Sequence, residues 1–255
     1  MSDLDNLIFD THAHYEDPVF EENFDSLINE MKSAGVSGII TCGCDKESSL
    51  KALALAEKYD IIYAAVGIHP GSVDSDTTIE DIRQLASHPK CVAIGEIGLD
   101  YYWRQDNKLL QHKILKEQLE LAIKLDLPVL FHDRDAHADT LELLKQYKPK
   151  GVVHAFSGST EMAREIIKLG LYIGVGGVLT FNNARALPSV VADTEISKIL
   201  LETDAPYLAP VPFRGKTNRS DYINFVAEKM AEIKNISKNE VLTQTFKNAK
   251  ELFNI

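Results

Sequence analysis

The stretch Asn6-Leu7-Ile8-Phe9-Asp10-Thr11-His12-Ala13-His14 is the first of several apolar runs that end in metal-ligating residues. Side chains in a strand alternate between the two faces of a sheet, so His12 and His14 point the same way. Two imidazoles on one face can begin a metal site. Asp10 shares their parity, and we expect it deeper on that face as an acceptor for an imidazole N–H.

Seven further apolar, β-rich runs follow along the chain, and each has the length of a strand. Segments with helical spacing separate them, for example at Phe24, Leu27, Ile28 and Met31. Continuously apolar strands separated by helices are typical of a parallel sheet that is covered on both faces. The eight predicted strands are residues 6–14, 36–44, 61–69, 91–99, 128–132, 151–156, 171–176 and 199–203.

Eight repeats of strand and helix predict an α/β fold, a single-domain (β/α)8 TIM barrel over residues 1–255. The alternative is an open doubly wound sheet, which gathers its ligand groups at one switch point. Candidate ligands here end the first, fourth, fifth, sixth and eighth predicted strands. A closed ring brings those five ends together, so the barrel is favoured.

The candidate ligands form a large mixed set of four imidazoles and two carboxylates. A single histidine at a strand end is more often a hydrogen-bonded core residue than a ligand. Six ligands at one end of a barrel exceed what one tetrahedral zinc ion needs, and they suit two divalent ions bridged by a carboxylate and a water. We expect two metal ions per chain, with Zn, Mn, Mg and Co all compatible. The set is His12, His14, Glu96, His132, His154 and Asp204.

The net charge of −11 argues against a conventional nucleic-acid binder, because such proteins neutralise phosphates with Lys and Arg. Bound divalent ions would make the electrostatic potential positive at the site, so the acidic composition still allows a nuclease that accepts only the end of a strand. Three cysteines, an odd number, suit a reducing compartment. No apolar run approaches membrane-spanning length, and the N-terminus is acidic where a signal peptide would be basic. We expect a soluble, cytoplasmic monomer with no membrane partner.

As a set, six motifs resemble the TatD family of metal-dependent deoxyribonucleases, within the amidohydrolase-like barrel superfamily. The resemblance spans the whole chain. The motifs are FDTHAH at 9–14, VGIHP at 66–70, IGEIGLDYY at 94–102, PVLFHDRDA at 128–136, HAFSG at 154–158 and ETDAPYLAP at 202–210.

The resemblance also implies how the ligands divide between two metals. One metal is held by His12, His14, Glu96 and Asp204, and the other by Glu96, His132 and His154, so that Glu96 bridges. Hydroxide between the two ions would attack phosphorus. Asp204 is the candidate general base, with a role as ligand only as the alternative.

Four residues near these motifs are candidates for substrate binding. His69, in an element that TatD-like proteins carry, is interpreted as a phosphate contact or leaving-group acid, and otherwise as a histidine held in a turn by Pro70. Arg134 and Arg214 could clamp a phosphate, or be plain exposed arginines. Tyr101 is the candidate for stacking on a nucleobase, with packing as the alternative.

Three functions remain open from the sequence. The leading hypothesis is a hydrolase of DNA phosphodiester bonds, a 3′–5′ exonuclease on single-stranded ends. The second is a binuclear-metal hydrolase of a small-molecule ester, lactone or amide, because fold and metals are shared across many reactions. The third is a catalytically idle binding barrel, which the full set of ligand residues disfavours.

Overall fold

The computed structural model describes residues 7–255, and its eight parallel strands form one sheet in chain order. Asn6, where the first predicted strand begins, lies outside the described residues. The strands are β1 (Ile8–Ala13), β2 (Val36–Cys42), β3 (Ile62–Val66), β4 (Cys91–Asp100), β5 (Val129–Arg134), β6 (Gly151–Val153), β7 (Tyr172–Val175) and β8 (Ile199–Leu201).

Helices connect the strands and cover the outside of the sheet. Within residues 7–255 they are α1 (Phe24–Ser33), α2 (Lys46–Lys58), α3 (Ile79–Leu85), α4 (Lys108–Leu125), α5 (His137–Tyr147), α6 (Thr160–Lys168), α7 (Leu187–Asp193), α8 (Ile223–Lys234) and α9 (Lys238–Phe253). Short 3-10 turns occupy Pro18–Phe20, Pro70–Ser72, Gly177–Thr180, Ile196–Lys198 and Ser220–Tyr222. None of the helices in this part of the chain is both long and apolar enough to cross a membrane.

The ring closes where β1 meets the end of β8. The His14 amide donates to the Ala205 carbonyl at 2.6 Å, and the Asp204 amide donates to the His12 carbonyl at 2.9 Å. Ala13 and Ala205 form a parallel bridge at the same place. The predicted single-domain (β/α)8 barrel is therefore confirmed.

Two buried clusters form the core. The larger lies between the strands and the surrounding helices. The smaller also takes a residue from every strand, and Phe246 and Phe253 of α9 join it. Its strand members include Phe9, Ile40, Ala65, Val92, Leu130, Val152, Tyr172 and Leu200.

The expectation for Asp10 was wrong. Its carboxylate accepts hydrogen bonds from the hydroxyls of Thr203 at 2.6 Å and Ser220 at 2.7 Å, and from the backbone N–H of His12 and Thr203, not from an imidazole. The register of β1 against β2 shifts between Asp10 and Ala13, which breaks the simple alternation. Asp10 thus helps to tie β1 to the loop after β8.

Gly98 allows β4 and β5 to approach closely. Its φ is +158°, and a Cβ there would lie only 1.9 Å from the His132 carbonyl oxygen. A side chain at this position would push the two strands apart. The close approach keeps Glu96 of β4 beside His132 of β5.

Candidate metal centre

The six predicted ligands come together at the carboxyl ends of the strands. Three belong to strands: His12 to β1, Glu96 to β4 and His132 to β5. The other three lie just beyond strands: His14 and His154 directly follow β1 and β6, and Asp204 is the third residue after β8. Since parallel strands in a barrel end at one rim, residues distant in sequence meet there. Groups drawn from these residues have ligand atoms close enough to hold a metal ion.

One half of the centre surrounds Oε2 of Glu96. This oxygen lies 3.5 Å from Nε2 of His12 and 3.4 Å from Nε2 of His14. The same two nitrogens lie 3.8 and 3.6 Å from Oδ1 of Asp204. Two imidazole nitrogens and two carboxylates thus face one point.

The other half surrounds Oε1 of Glu96. This oxygen lies 2.7 Å from Nδ1 of His132 and 2.8 Å from Nε2 of His154. The two nitrogens lie 3.3 Å apart. Each oxygen of Glu96 therefore faces its own pair of imidazoles, as a bridging carboxylate would.

The hydrogen bonds of two histidines test whether their tautomers suit a metal. Nδ1 of His14 lies 2.9 Å from the carbonyl of Cys42, which only accepts, so Nδ1 carries the proton and Nε2 keeps its lone pair. Nε2 of His132 lies 3.1 Å from Oδ2 of Asp100, so Nε2 donates and Nδ1 faces the centre. Both free nitrogens point at Glu96. The donor set fits divalent cations.

The electrostatics of the centre keep its carboxylates ionised. Burial alone would raise the pKa of Glu96, but the imidazoles of His154, His69 and His12 hold it well below its usual range. Burial also opposes ionisation of Asp204, yet its hydrogen bond to His14 and the neighbouring imidazoles lower its pKa. Metal ligands must be deprotonated, so both carboxylates are in the binding form at neutral pH.

Protons compete for the imidazoles when no metal is bound. Burial opposes protonation of His132, but its contacts with Asp100 and Glu96 raise its pKa to about 9. A cation bound here would take the place of the proton between His132 and Glu96, and the negative charge of Glu96 and Asp100 would stabilise the cation as it stabilises the proton.

His69 stands beside the centre with a defined tautomer. Its Nδ1 accepts the Gly71 N–H at 3.0 Å in the turn that begins at Pro70. The neutral ring therefore carries its proton on Nε2, which lies 3.7 Å from Oε1 of Glu96. The side chain lines the open cleft, so this N–H faces the space where a substrate would lie.

Three residues that contact the candidate ligands escaped the sequence reasoning. Asp100, at the end of β4, orients His132. Glu202 is almost fully buried beside His154, with 3.9 Å between its Oε1 and Nδ1 of the histidine. Cys44 places its thiol with His14 and Glu96 in a group that could hold a metal. Asp100 and Glu202 lie inside the quoted motifs, which was the available signal.

The centre opens into a cleft of about 1150 Å³. Its walls combine acidic side chains with three cations, which are Lys51, Arg134 and Arg185. Arg134, a predicted substrate contact, lines this cleft together with Trp103. A cleft of this size exceeds the roughly 300–1,000 Å³ of ordinary small-molecule sites.

Tyr101 does not reach the cleft, contrary to the prediction. The residue is only 7% exposed. The hydroxyl lies 2.6 Å from both Nε2 of His112 and Oδ2 of Asp139, and Lys108 lies over the ring. The residue therefore anchors the turn after β4 instead of meeting substrate.

Arg214 is also placed elsewhere. Its guanidinium lies 4.0 Å from the ring centre of Phe181 and does not belong to the cleft wall. Arg185 supplies a cation from this side of the cleft instead. The loop that carries Arg214 folds against the turn after β7, an arrangement that depends on long-range packing.

Comparison with protein families places most of the chain in one group. The family model of TatD-related DNases matches residues 9–254. The YabD protein of Bacillus subtilis, described as an uncharacterized metal-dependent hydrolase, is 41% identical and is matched over 98% of this chain and all of its own length. The Escherichia coli YjjV protein, described in the same words, is 38% identical over 96% of this chain and 97% of its own.

Solved structures agree with the fold. The crystal structure of the TatD homologue YjjV from Escherichia coli superposes with a TM-score of 0.92 at 36% identity, covering 97% of this chain and 98% of the other. A TatD-family hydrolase from Entamoeba histolytica gives a TM-score of 0.88 at 26% identity, covering 98% and 99%.

Proposed function

This chain belongs to the TatD-related DNase family of metal-dependent hydrolases, and from that premise we propose that it hydrolyses phosphodiester bonds of DNA. The proposed substrate is a single-stranded end, degraded from 3′ to 5′ as an exonuclease. Two divalent ions per chain are proposed as cofactors, with Glu96 between them.

The observation that carries this proposal is the position of Glu96. Its two carboxylate oxygens face separate pairs of imidazoles, at 3.4–3.5 Å on one side and 2.7–2.8 Å on the other. A pair of divalent ions, when bound, supplies Lewis acidity toward phosphoryl oxygens and lowers the pKa of a water molecule. Phosphoryl transfer depends mainly on positioning and charge stabilisation, which such a site provides.

The chain's own residues would hold and move the protons. Asp204 is ionised and 18% exposed at its side chain, so it can take a proton from a water in the cleft. His69 presents Nε2–H to the same space and can donate to a phosphate oxygen or to the leaving oxygen. Arg134 supplies a guanidinium that can pair with a phosphate.

The test is digestion of single-stranded oligonucleotides labelled at either end, by metal-reconstituted protein, with a chelator control. We expect metal-dependent ladders that begin at the 3′ end and disappear with Asp204→Asn. The exposed Asp193→Asn is the matched control and should retain activity. No cleavage by metal-loaded wild-type protein would refute the nuclease proposal.

A hydrolase of a small ester, lactone or amide is the second candidate. The net charge of −11 favours it, because it disfavours binding of long polyanions. Turnover of chromogenic esters or lactones without any oligonucleotide cleavage would support this candidate over the first.

A further inference from the structure

Two consecutive aromatic side chains after β4 are exposed at the rim of the cleft. Trp103 is 70% exposed and Tyr102 is 54% exposed, and their rings contact each other edge to face at 4.8 Å. Trp103 also lines the cleft wall. Adjacent exposed rings at the mouth of a site are typical of a binding surface, because burial against a ligand would be favourable.

The side chain of Arg134 packs against both exposed rings. The Arg134 guanidinium carbon lies 4.1 Å from the ring centre of Tyr102 and 5.4 Å from that of Trp103. An arginine beside an aromatic face offers a planar stacking surface and paired donors for a phosphate. The rim therefore combines recognition of a flat ring with recognition of an anion.

The rim is joined to the candidate metal centre through one carboxylate. Oδ1 of Asp100 accepts the backbone N–H groups of Tyr102 and Trp103, each at 3.0 Å, while Oδ2 holds His132. The Tyr101 amide donates to the carbonyl of Arg134 at 2.9 Å. These hydrogen bonds fix the positions of Trp103 and Arg134 relative to His132 in the candidate metal centre.

We propose that Trp103 and Arg134 form a nucleotide subsite, in which a base stacks on the indole and a phosphate pairs with the guanidinium. This inference rests on the proposed nuclease function and gives a structural reason for its single-stranded substrate, because bases in a duplex are not free to stack on the indole. Stacking uses the face common to all bases, so the subsite discriminates little between sequences.

Trp103 is the single tryptophan of the chain, so its fluorescence reports this subsite directly. The metal-loaded protein is titrated with a phosphorothioate thymidine tetramer, which resists hydrolysis, and with an abasic tetramer of equal charge. We expect saturable quenching by the thymidine tetramer and little by the abasic one. Equal quenching by both, or none by either, would overturn the subsite.

Kinetics provide the second arm. Trp103→Ala should raise the KM for single-stranded oligonucleotides about tenfold more than it raises the KM for bis(p-nitrophenyl) phosphate, which has no base to stack. Trp103→Phe keeps an aromatic ring, so its KM for oligonucleotides should stay within about threefold of wild type. Leu109→Ala, which removes an 89% exposed side chain on α4, is the matched control. A KM for oligonucleotides that Trp103→Ala leaves unchanged contradicts the proposal.

The two proposals fail separately. A protein that cleaves oligonucleotides while the Trp103→Ala variant keeps the wild-type KM is a nuclease without this subsite. A protein that shows base-dependent quenching but cleaves no oligonucleotide keeps the subsite and loses the nuclease assignment.

Discussion

The carboxylate of Asp100 and the imidazole of His132 are joined by a 3.1 Å contact between Oδ2 and Nε2, and the other ring nitrogen of His132 faces Glu96. The contact selects the tautomer in which Nδ1 has a lone pair for a metal. A residue that sequence reasoning did not select thus decides whether a predicted ligand can act as one.

Asp100→Asn should weaken metal binding. The new side-chain amide keeps Oδ1, which accepts the N–H groups of the turn that carries Trp103. Its NH₂ group, however, donates to Nε2 of His132, so the proton of that imidazole moves to Nδ1. We expect the affinity for Zn²⁺ to fall by about 10–100-fold, measured by competition with a chromogenic chelator. Asp139→Asn, which changes a partner of Tyr101, is the control. Unchanged affinity would mean that Asp100 serves only the turn.

Glu96→Gln should empty the centre and stop catalysis. The neutral amide can no longer face both imidazole pairs with anionic oxygens. We expect metal content to fall and phosphodiester hydrolysis to drop by at least about 10³-fold, because a binuclear site acts as a unit. Elemental analysis of purified protein gives the first value and oligonucleotide digestion the second. Glu57→Gln, at an exposed partner of His88, should match wild type on both.

His69→Gln distinguishes a leaving-group acid from a phosphate contact. A general acid speeds hydrolysis most when the leaving oxygen is strongly basic, as the sugar oxygen of DNA is. It has little effect when p-nitrophenolate leaves, because this anion is stable without a proton. We expect kcat to fall about 10²-fold on oligonucleotides and less than about tenfold on bis(p-nitrophenyl) phosphate. Equal losses on both substrates would assign His69 to phosphate binding. His88→Gln is the control for loss of a histidine away from the cleft.

Glu202 should make the stability of the metal-free protein depend on pH. Burial raises its pKa from 4.5 to about 8, so the folded state holds a proton that the unfolded state releases. Its contribution to the free energy of unfolding is present below pH 4.5 and is lost as the pH rises through 8.

Urea unfolding of chelated protein at pH 6, 7, 8 and 9 tests this. Glu202→Gln mimics the protonated form, so we expect its stability advantage over wild type to grow with pH, by roughly 1 kcal/mol or more across the range. Groups far from Glu202 titrate alike in both proteins and cancel, whereas His154, whose pKa the Glu202 charge helps to raise, contributes to the same difference. A constant difference between the two curves would place the pKa of Glu202 near its usual value.

The six candidate ligands could be identified from the sequence because each is tied to a strand end. A barrel brings such ends to one rim whatever the details of packing, so the structure gathers His12 and Asp204 although they lie 192 positions apart in the chain. That these residues bind two metals remains a prediction.

Substrate contacts were predicted less well. Tyr101, Tyr102 and Trp103 are consecutive and similar in sequence. Their exposure differs because Asp100 caps the turn at the last two, while the Tyr101 hydroxyl is held by His112 and Asp139. Asp10 was misjudged because a register shift in β1 changes which face it meets.

The sequence alone determined the order of eight strands, the barrel they build and the residue types at its rim, because apolar periodicity is local and ligand residues at the ends of five strands favour a closed ring. The tertiary structure alone decided which nitrogen of His132 faces Glu96, that Trp103 and not Tyr101 opens on the cleft, and that Arg214 turns away toward Phe181. These outcomes depend on hydrogen bonds and ring contacts between segments far apart in the chain, whose directions no local pattern records.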